Sequence, residues 1–147
     1  MGKRDFVLIY SSKYFNVVTL NKPHIARMDG GHLVIFPKRE VEDRTQLTRE
    51  ESQELMKLSI TFGKAMKHAL NQNGVDVARI NYQENGNWHP RMHLHLYGRA
   101  KSAKIQKFGE ALCFPKPETG FYDKNKPLID DDINKIKEKA KNITKLE

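Results

Sequence analysis

Residues 92–97, Met-His-Leu-His-Leu-Tyr, alternate apolar and ring-bearing side chains without a break. Only an extended strand gives that alternation physical meaning, because successive side chains of a strand point to opposite faces of its sheet. Met92, Leu94 and Leu96 then face a core, while His93, His95 and Tyr97 face the other way. Two imidazoles two residues apart on a strand stand about 7 Å apart, both within reach of one phosphate group. His89 lies just upstream. Parity puts it and Arg91 on the histidine face, although Pro90 disturbs the ladder between them. The chain must therefore build a sheet with one face packed and the other free for chemistry.

Residues 47–74 supply the packing layer. Thr48 and Glu51 form a capping box at the start of a helix. Leu55, Leu58, Phe62, Ala65 and Ala69 follow at 3-4-3-4 spacing, which is one buried stripe, and Gly74 is placed to stop the helix. Met56, Ile60 and Met66 widen the stripe and leave two readings open, a second subunit or the C-terminal segment. Further strands are expected at "DFVLIY" and "KYFNVVTLN" around a Ser-Ser-Lys turn, at "HLVIFPK", covered on both faces, and at "VARINYQ". Gly98 is expected to end the histidine strand. Residues 100–128 read as an irregular wrap with a short helix near Lys104–Ala111. A last helix begins at the acidic run from Asp130, with lysines toward its end as the helix dipole favours. Its apolar stripe is Ile133, Ile136, Ala140 and Ile143. The order predicts an α+β fold, a mainly antiparallel sheet with one long helix packed on it. Residues 1–100 would form this unit, and 101–147 a C-terminal irregular and helical extension of the same domain.

Composition narrows the partners. The longest apolar runs are a few residues, too short to span a membrane, and the N-terminal one is too short for a secretory signal. Cys113 is the single cysteine, so an intramolecular disulfide and a cysteine-based zinc site are both ruled out. A cytoplasmic location is the default expectation. The net charge of +8 fits either an anionic partner, nucleotide phosphates or nucleic acid, or a plain lysine-rich surface. Part of the excess lies in residues 134–145.

Three readings of the histidines follow from the residues. A neutral imidazole can attack phosphorus as a nucleophile. His89, His93 and His95, spaced H-x3-H-x-H, can instead hold zinc or iron. Alternating "HLHL" also occurs in cupin metal strands, but the Glu a cupin needs soon afterwards is missing from "LYGRAKSAK". The third reading is a solvated histidine face.

The wider pattern favours the first. "GGHLVIFPKREVEDRTQLTREE", a long helix, then "INYQENGNWHPRMHLHLYGR" closely resemble the histidine-triad (HIT) family of nucleotide-binding hydrolases and nucleotidyl transferases, over about residues 5–100. The family signature is His-φ-His-φ-His-φ-φ, with φ apolar, after a strand ending in Asn and a Gly-containing loop. The resemblance implies that His93 is the nucleophile and His95 a phosphate contact. It implies that His32 is the additional active-site histidine, and that Asn81 contacts phosphate or ribose. Gly86 and Trp88 fall in the loop whose N–H groups face phosphate. Asn21 matches the residue that binds ribose hydroxyls, and Phe6, Tyr14 and Phe15 are candidates for the base pocket. Phe114, Phe121 and Tyr122 form a cluster able to close over a ligand.

Two positions depart from the pattern. Arg91 stands where the first triad histidine belongs, and Glu40 replaces the usual histidine after "PK". His89 or the Arg91 guanidinium are the candidates to fill the vacated space, and Arg91 retains the carbonyl that holds the nucleophile's other nitrogen. The implied chemistry is attack on the α-phosphate of a dinucleoside polyphosphate or nucleoside phosphoramidate. No metal or cofactor is required, although Mg²⁺ can accompany a polyphosphate. The alternatives are a non-catalytic nucleotide-binding module and the metal site above. Homodimerisation through the long helix is implied by the resemblance. A nucleic-acid substrate ranks lowest, for want of an added DNA-binding domain.

Overall fold

The structure, a computed structural model, describes residues 5–146. The basic residues Lys3 and Arg4 at the start of the chain fall outside that range. Strands β1 (Phe6–Ser11), β2 (Phe15–Leu20), β3 (His32–Pro37), β4 (Val77–Gln83) and β5 (Leu94–Ala100) form one sheet in the order β1-β2-β3-β5-β4. Each neighbouring pair is antiparallel. Two helices complete the fold, α1 (Arg49–Gln72) and α2 (Asp130–Leu146).

Strand parity divides the sheet. Phe15 and Val17 of β2, Leu33 and Ile35 of β3, and Leu94 and Leu96 of β5 are buried in the core with Leu55, Leu58, Phe62, Ala65 and Ala69 of α1. Each such large apolar side chain contributes about 2 kcal/mol when withdrawn from water. The helix starts as expected: the Thr48 hydroxyl accepts from the Glu51 N–H, and the Glu51 carboxylate accepts from the Thr48 N–H. Helix α2 buries Ile133, Ile136 and Ala140 in the same core. Met66 is wholly buried there too, so of the three residues considered for a second subunit only Met56 and Ile60 remain exposed.

Two expectations fail. Gly98 does not end the histidine strand, which runs on to Ala100. It is needed because Gly30 crosses directly above; a Cβ on Gly98 would lie 1.9 Å from the Gly30 carbonyl oxygen. No helix forms near Lys104–Ala111. The N–H groups of Lys104, Ile105 and Gln106 all donate to the buried Asp29 carboxylate, at 3.0 Å each. A helix starting there would leave these donors unpaired anyway; what breaks it is Gly109 at φ 89°, with the Lys107 and Glu110 carbonyls bound by Arg99 instead.

The extension is tied back by a second buried carboxylate. Asp132, at the start of α2, accepts from Arg27 Nε at 2.6 Å, Arg27 Nη2 at 3.0 Å and Asn73 Nδ2 at 2.7 Å. It therefore joins the β2–β3 loop, the end of α1 and the beginning of α2.

Candidate active site

The face of the sheet turned away from α1 carries the ring-bearing residues. On β5 these are His95 and Tyr97, with His93 immediately before the strand. Register places Val34 of β3 opposite His95, and His32 opposite Tyr97. His32, His95 and Tyr97 are buried, and His93 is half-buried. A cavity of about 660 Å³ opens in front of them, a size typical of small-molecule sites. Phe6, Val18, Leu20, Val34 and Phe36 give it an apolar wall, and the loop after β4 supplies Gly86, Trp88 and His89.

Of the base-pocket candidates, only Phe6 lines this cavity. Phe15 points into the core and Tyr14 packs at its edge, because β2 parity turns Val18 and Leu20, not Phe15, toward the histidines. Phe114 lines the cavity, while Tyr122 packs on His24 at 5.2 Å. Phe121 meets Tyr122 edge-on and does not line the cavity.

His24 escaped the sequence reading. It lies in the loop between β2 and β3, which carries no periodic signal. Its ring packs against His32 at 4.7 Å, His95 at 5.3 Å and Phe114 at 5.5 Å, and its Nδ1 pairs with the Tyr97 hydroxyl at 3.0 Å. The only hint was the Pro23-His24 pair in a loop that has to double back over the strand ends.

Hydrogen bonding fixes where the protons sit. His93 Nδ1 lies 2.7 Å from the Arg91 carbonyl oxygen. A carbonyl only accepts, so Nδ1 carries the proton and a neutral ring keeps its lone pair on Nε2. The His24 N–H donates to His32 Nδ1 at 3.1 Å. His32 therefore carries its proton on Nε2, which donates to His95 Nδ1 at 2.8 Å. His95 in turn holds its proton on Nε2. Burial, and secondarily the nearby His93, push the His95 pKa down to about 3 and that of His24 to about 4. His32 is held well below its ordinary value by its complete burial, and then by His95. All three rings are neutral at pH 7.

The remaining predicted residues divide. The Arg91 guanidinium lies over the Phe36 ring, and its Nη2 donates to the carbonyls of Pro37 at 2.5 Å and Lys38 at 3.1 Å. It is thus committed to the end of β3. His89 is exposed, with its Nδ1 accepting from the Arg91 N–H at 3.2 Å. Asn81 does not line the cavity; its Oδ1 accepts from Arg99 Nη1 at 2.9 Å, and Arg99 binds the carbonyls of Lys107 and Glu110. Asn21 is exposed and also lies outside the lining. Nor do His89, His93 and His95 form the compact triplet of the metal reading. Among the described residues, the three histidines whose ring nitrogens all lie within 4.8 Å of one another are His24, His32 and His95.

The family model for the HIT domain matches residues 3–102, more than half of the chain. The chain belongs to the HIT family. Solved HIT structures share its fold at low sequence identity. A histidine triad protein from Marinobacter aquaeolei is 16% identical, with a TM-score of 0.66 over 97% of this chain and 90% of that one. A hypothetical histidine triad nucleotide-binding protein from Sulfolobus tokodaii is 16% identical, with a TM-score of 0.64 over 96% and 87%. A histidine triad protein from Bradyrhizobium japonicum is 17% identical, with a TM-score of 0.62 over 92% and 91%. No curated protein matches the sequence. The coverage of these HIT structures extends the likeness beyond residue 102, into the segment that supplies Phe114 and Tyr122.

Proposed function

We propose that this HIT protein is a nucleotide hydrolase or nucleotidyl transferase that forms a covalent intermediate on His93. The observation that carries the reading is the bond from His93 Nδ1 to the Arg91 carbonyl, which leaves the Nε2 lone pair of a cavity-lining ring as the nucleophile. Nε2 attacks the α-phosphorus. The bond from phosphorus to the leaving group breaks, and the leaving group departs with the electron pair and takes a proton from water. Water then attacks the nucleotidyl-histidine, the P–N bond breaks with its electron pair returning to His93 Nε2, and the proton lost by that water neutralises the hydroxide left by the first step. His95 Nε2–H donates to a phosphate oxygen as charge develops there, the kind of preorganised donor that stabilises a transition state. The apolar wall from Phe6 to Phe36 takes the base, and Gly86 and Trp88 lie along the phosphate. The scheme uses no resident metal; Mg²⁺ enters with a polyphosphate substrate.

Substituting the nucleophile is the direct test. His93→Ala should lower AMP release from an adenosine phosphoramidate or a dinucleoside polyphosphate by at least about a thousandfold. Wild-type protein quenched during turnover should carry a nucleotidyl group on His93. Undiminished activity in the variant would remove His93 from this role. Nucleotide binding without turnover in the wild type would favour the non-catalytic module, a reading motivated by Arg91 at the first triad position.

The same reading pairs two copies across α1 and β4. Strand β4 is an edge of the sheet, and Tyr82 on it lies against Gly63 of α1, beside the exposed Met56 and Ile60. Ile60→Glu should convert a dimer to a monomer in sedimentation.

A further inference from the structure

The proton chain described above starts at one peptide group, that between Pro23 and His24. Its N–H makes the bond to His32 Nδ1. Its C=O, on Pro23, accepts from Asn125 Nδ2 at 2.9 Å, and the same amide nitrogen reaches the His24 carbonyl at 3.2 Å. The described residues contain no cis peptide bond, and a trans peptide is planar, with its C=O and N–H pointing in opposite directions. Holding the oxygen therefore aims the hydrogen. Asn125 holds the oxygen from one side, and the hydrogen points at His32 on the other.

The aim matters because the His32–His95 pair can be wired in two ways. With His32 Nδ1 accepting, His32 Nε2–H donates to His95 Nδ1, and His95 presents an N–H from Nε2. If the peptide N–H turned away, the pair could keep its 2.8 Å contact with both protons moved. His95 Nδ1–H would then donate to His32 Nε2, and His95 Nε2 would present a lone pair. A lone pair repels a phosphate oxygen; an N–H binds it. Nothing within the two rings chooses between these states. The choice comes from the peptide.

We propose that Asn125, outside the stretch matched by the HIT model, is a positioning residue that sets which nitrogen of His95 carries the proton, acting through the Pro23–His24 peptide and His32. Its consequence for catalysis rests on the function proposed above, but the proton position itself does not. The neighbouring tie, the Lys22–Asp123 ion pair at 2.7 Å, is exposed on both sides and does not touch the peptide. It provides a control.

The test is ¹⁵N NMR of the histidine ring nitrogens in the full chain without ligand. In the wild type, His32 and His95 should both read as Nε2–H tautomers. Asn125→Asp keeps the shape, removes the donor and turns an oxygen toward two carbonyls. It should lower the ratio of Nε2–H to Nδ1–H on His95 by roughly five- to tenfold, the worth of one net hydrogen bond. Asn125→Ala should shift it in the same direction, and Asp123→Asn should not shift it. If turnover is present, kcat should fall with the tautomer ratio while His93 remains competent. A folded Asn125→Asp protein with unchanged His32 and His95 tautomers would overturn the proposal. So would an equal shift in Asp123→Asn, which would mark general loosening of the loop. Loss of turnover without a tautomer shift also counts against it. A tautomer shift in a protein that turns over no nucleotide would support the positioning role while refuting the enzyme reading.

Discussion

Acidification from pH 7 to pH 5 should remove much of this protein's stability, and the histidine cluster sets the amount. An imidazole in an unfolded chain titrates near 6.5. In the folded chain burial holds His24 at about 4 and His95 at about 3, with His32 below its ordinary value by complete burial. The folded-state pKa is thus the lower one in each case. Between pH 6.5 and about 4 the unfolded chain binds protons that the folded chain refuses, so stability is full above 6.5 and is lost as the pH falls. Over the step from 7 to 5, His24 and His95 each cost about 2 kcal/mol, about 4 kcal/mol together, and His32 acts in the same direction. The loss is a large share of the ~5–15 kcal/mol typical of a domain. Carboxylates contribute little in this window. Glu51, held at about 2 by its bond to Arg39, begins to cost stability only as unfolded carboxylates protonate below about pH 5. Urea unfolding at a series of pH values, followed by circular dichroism and Trp88 fluorescence, gives the numbers. The midpoint should fall while the m-value holds. A total loss under about 2 kcal/mol, one histidine's worth, would mean that the folded rings accept protons freely, and the buried neutral network would be refuted.

Two further substitutions probe the ties that shape the site. Gly98→Ala puts a Cβ 1.9 Å from the Gly30 carbonyl oxygen, so the backbone must move; it should cost about 3 kcal/mol or more in urea unfolding. Asp29→Asn replaces the charged acceptor of three N–H groups, of which that of Gln106 is buried, and should cost about 2–3 kcal/mol. Amide exchange at Lys104–Gln106 should accelerate with it.

The sequence by itself determined whatever depends on a local period. Alternation fixed the two faces of the histidine strand, so His93 and His95 share a side and Leu94 and Leu96 share the core. The 3-4 spacing and the Thr48–Glu51 box fixed α1, because a capped helix with one apolar stripe has one way to bury it. Long-range packing decided the rest. Parity cannot say which loop crosses the strand ends, so His24 and its peptide were invisible until the β2–β3 loop met the extension. Arg91 was legible as a missing histidine, but only the tertiary structure brought the Pro37 and Lys38 carbonyls to its guanidinium at the cavity wall. Asn81 kept its strand position yet went to Arg99, and Met66 went to the core. A side chain's direction is written in its own segment, whereas its partner is supplied by a segment tens of residues away, and folding decides which partners arrive.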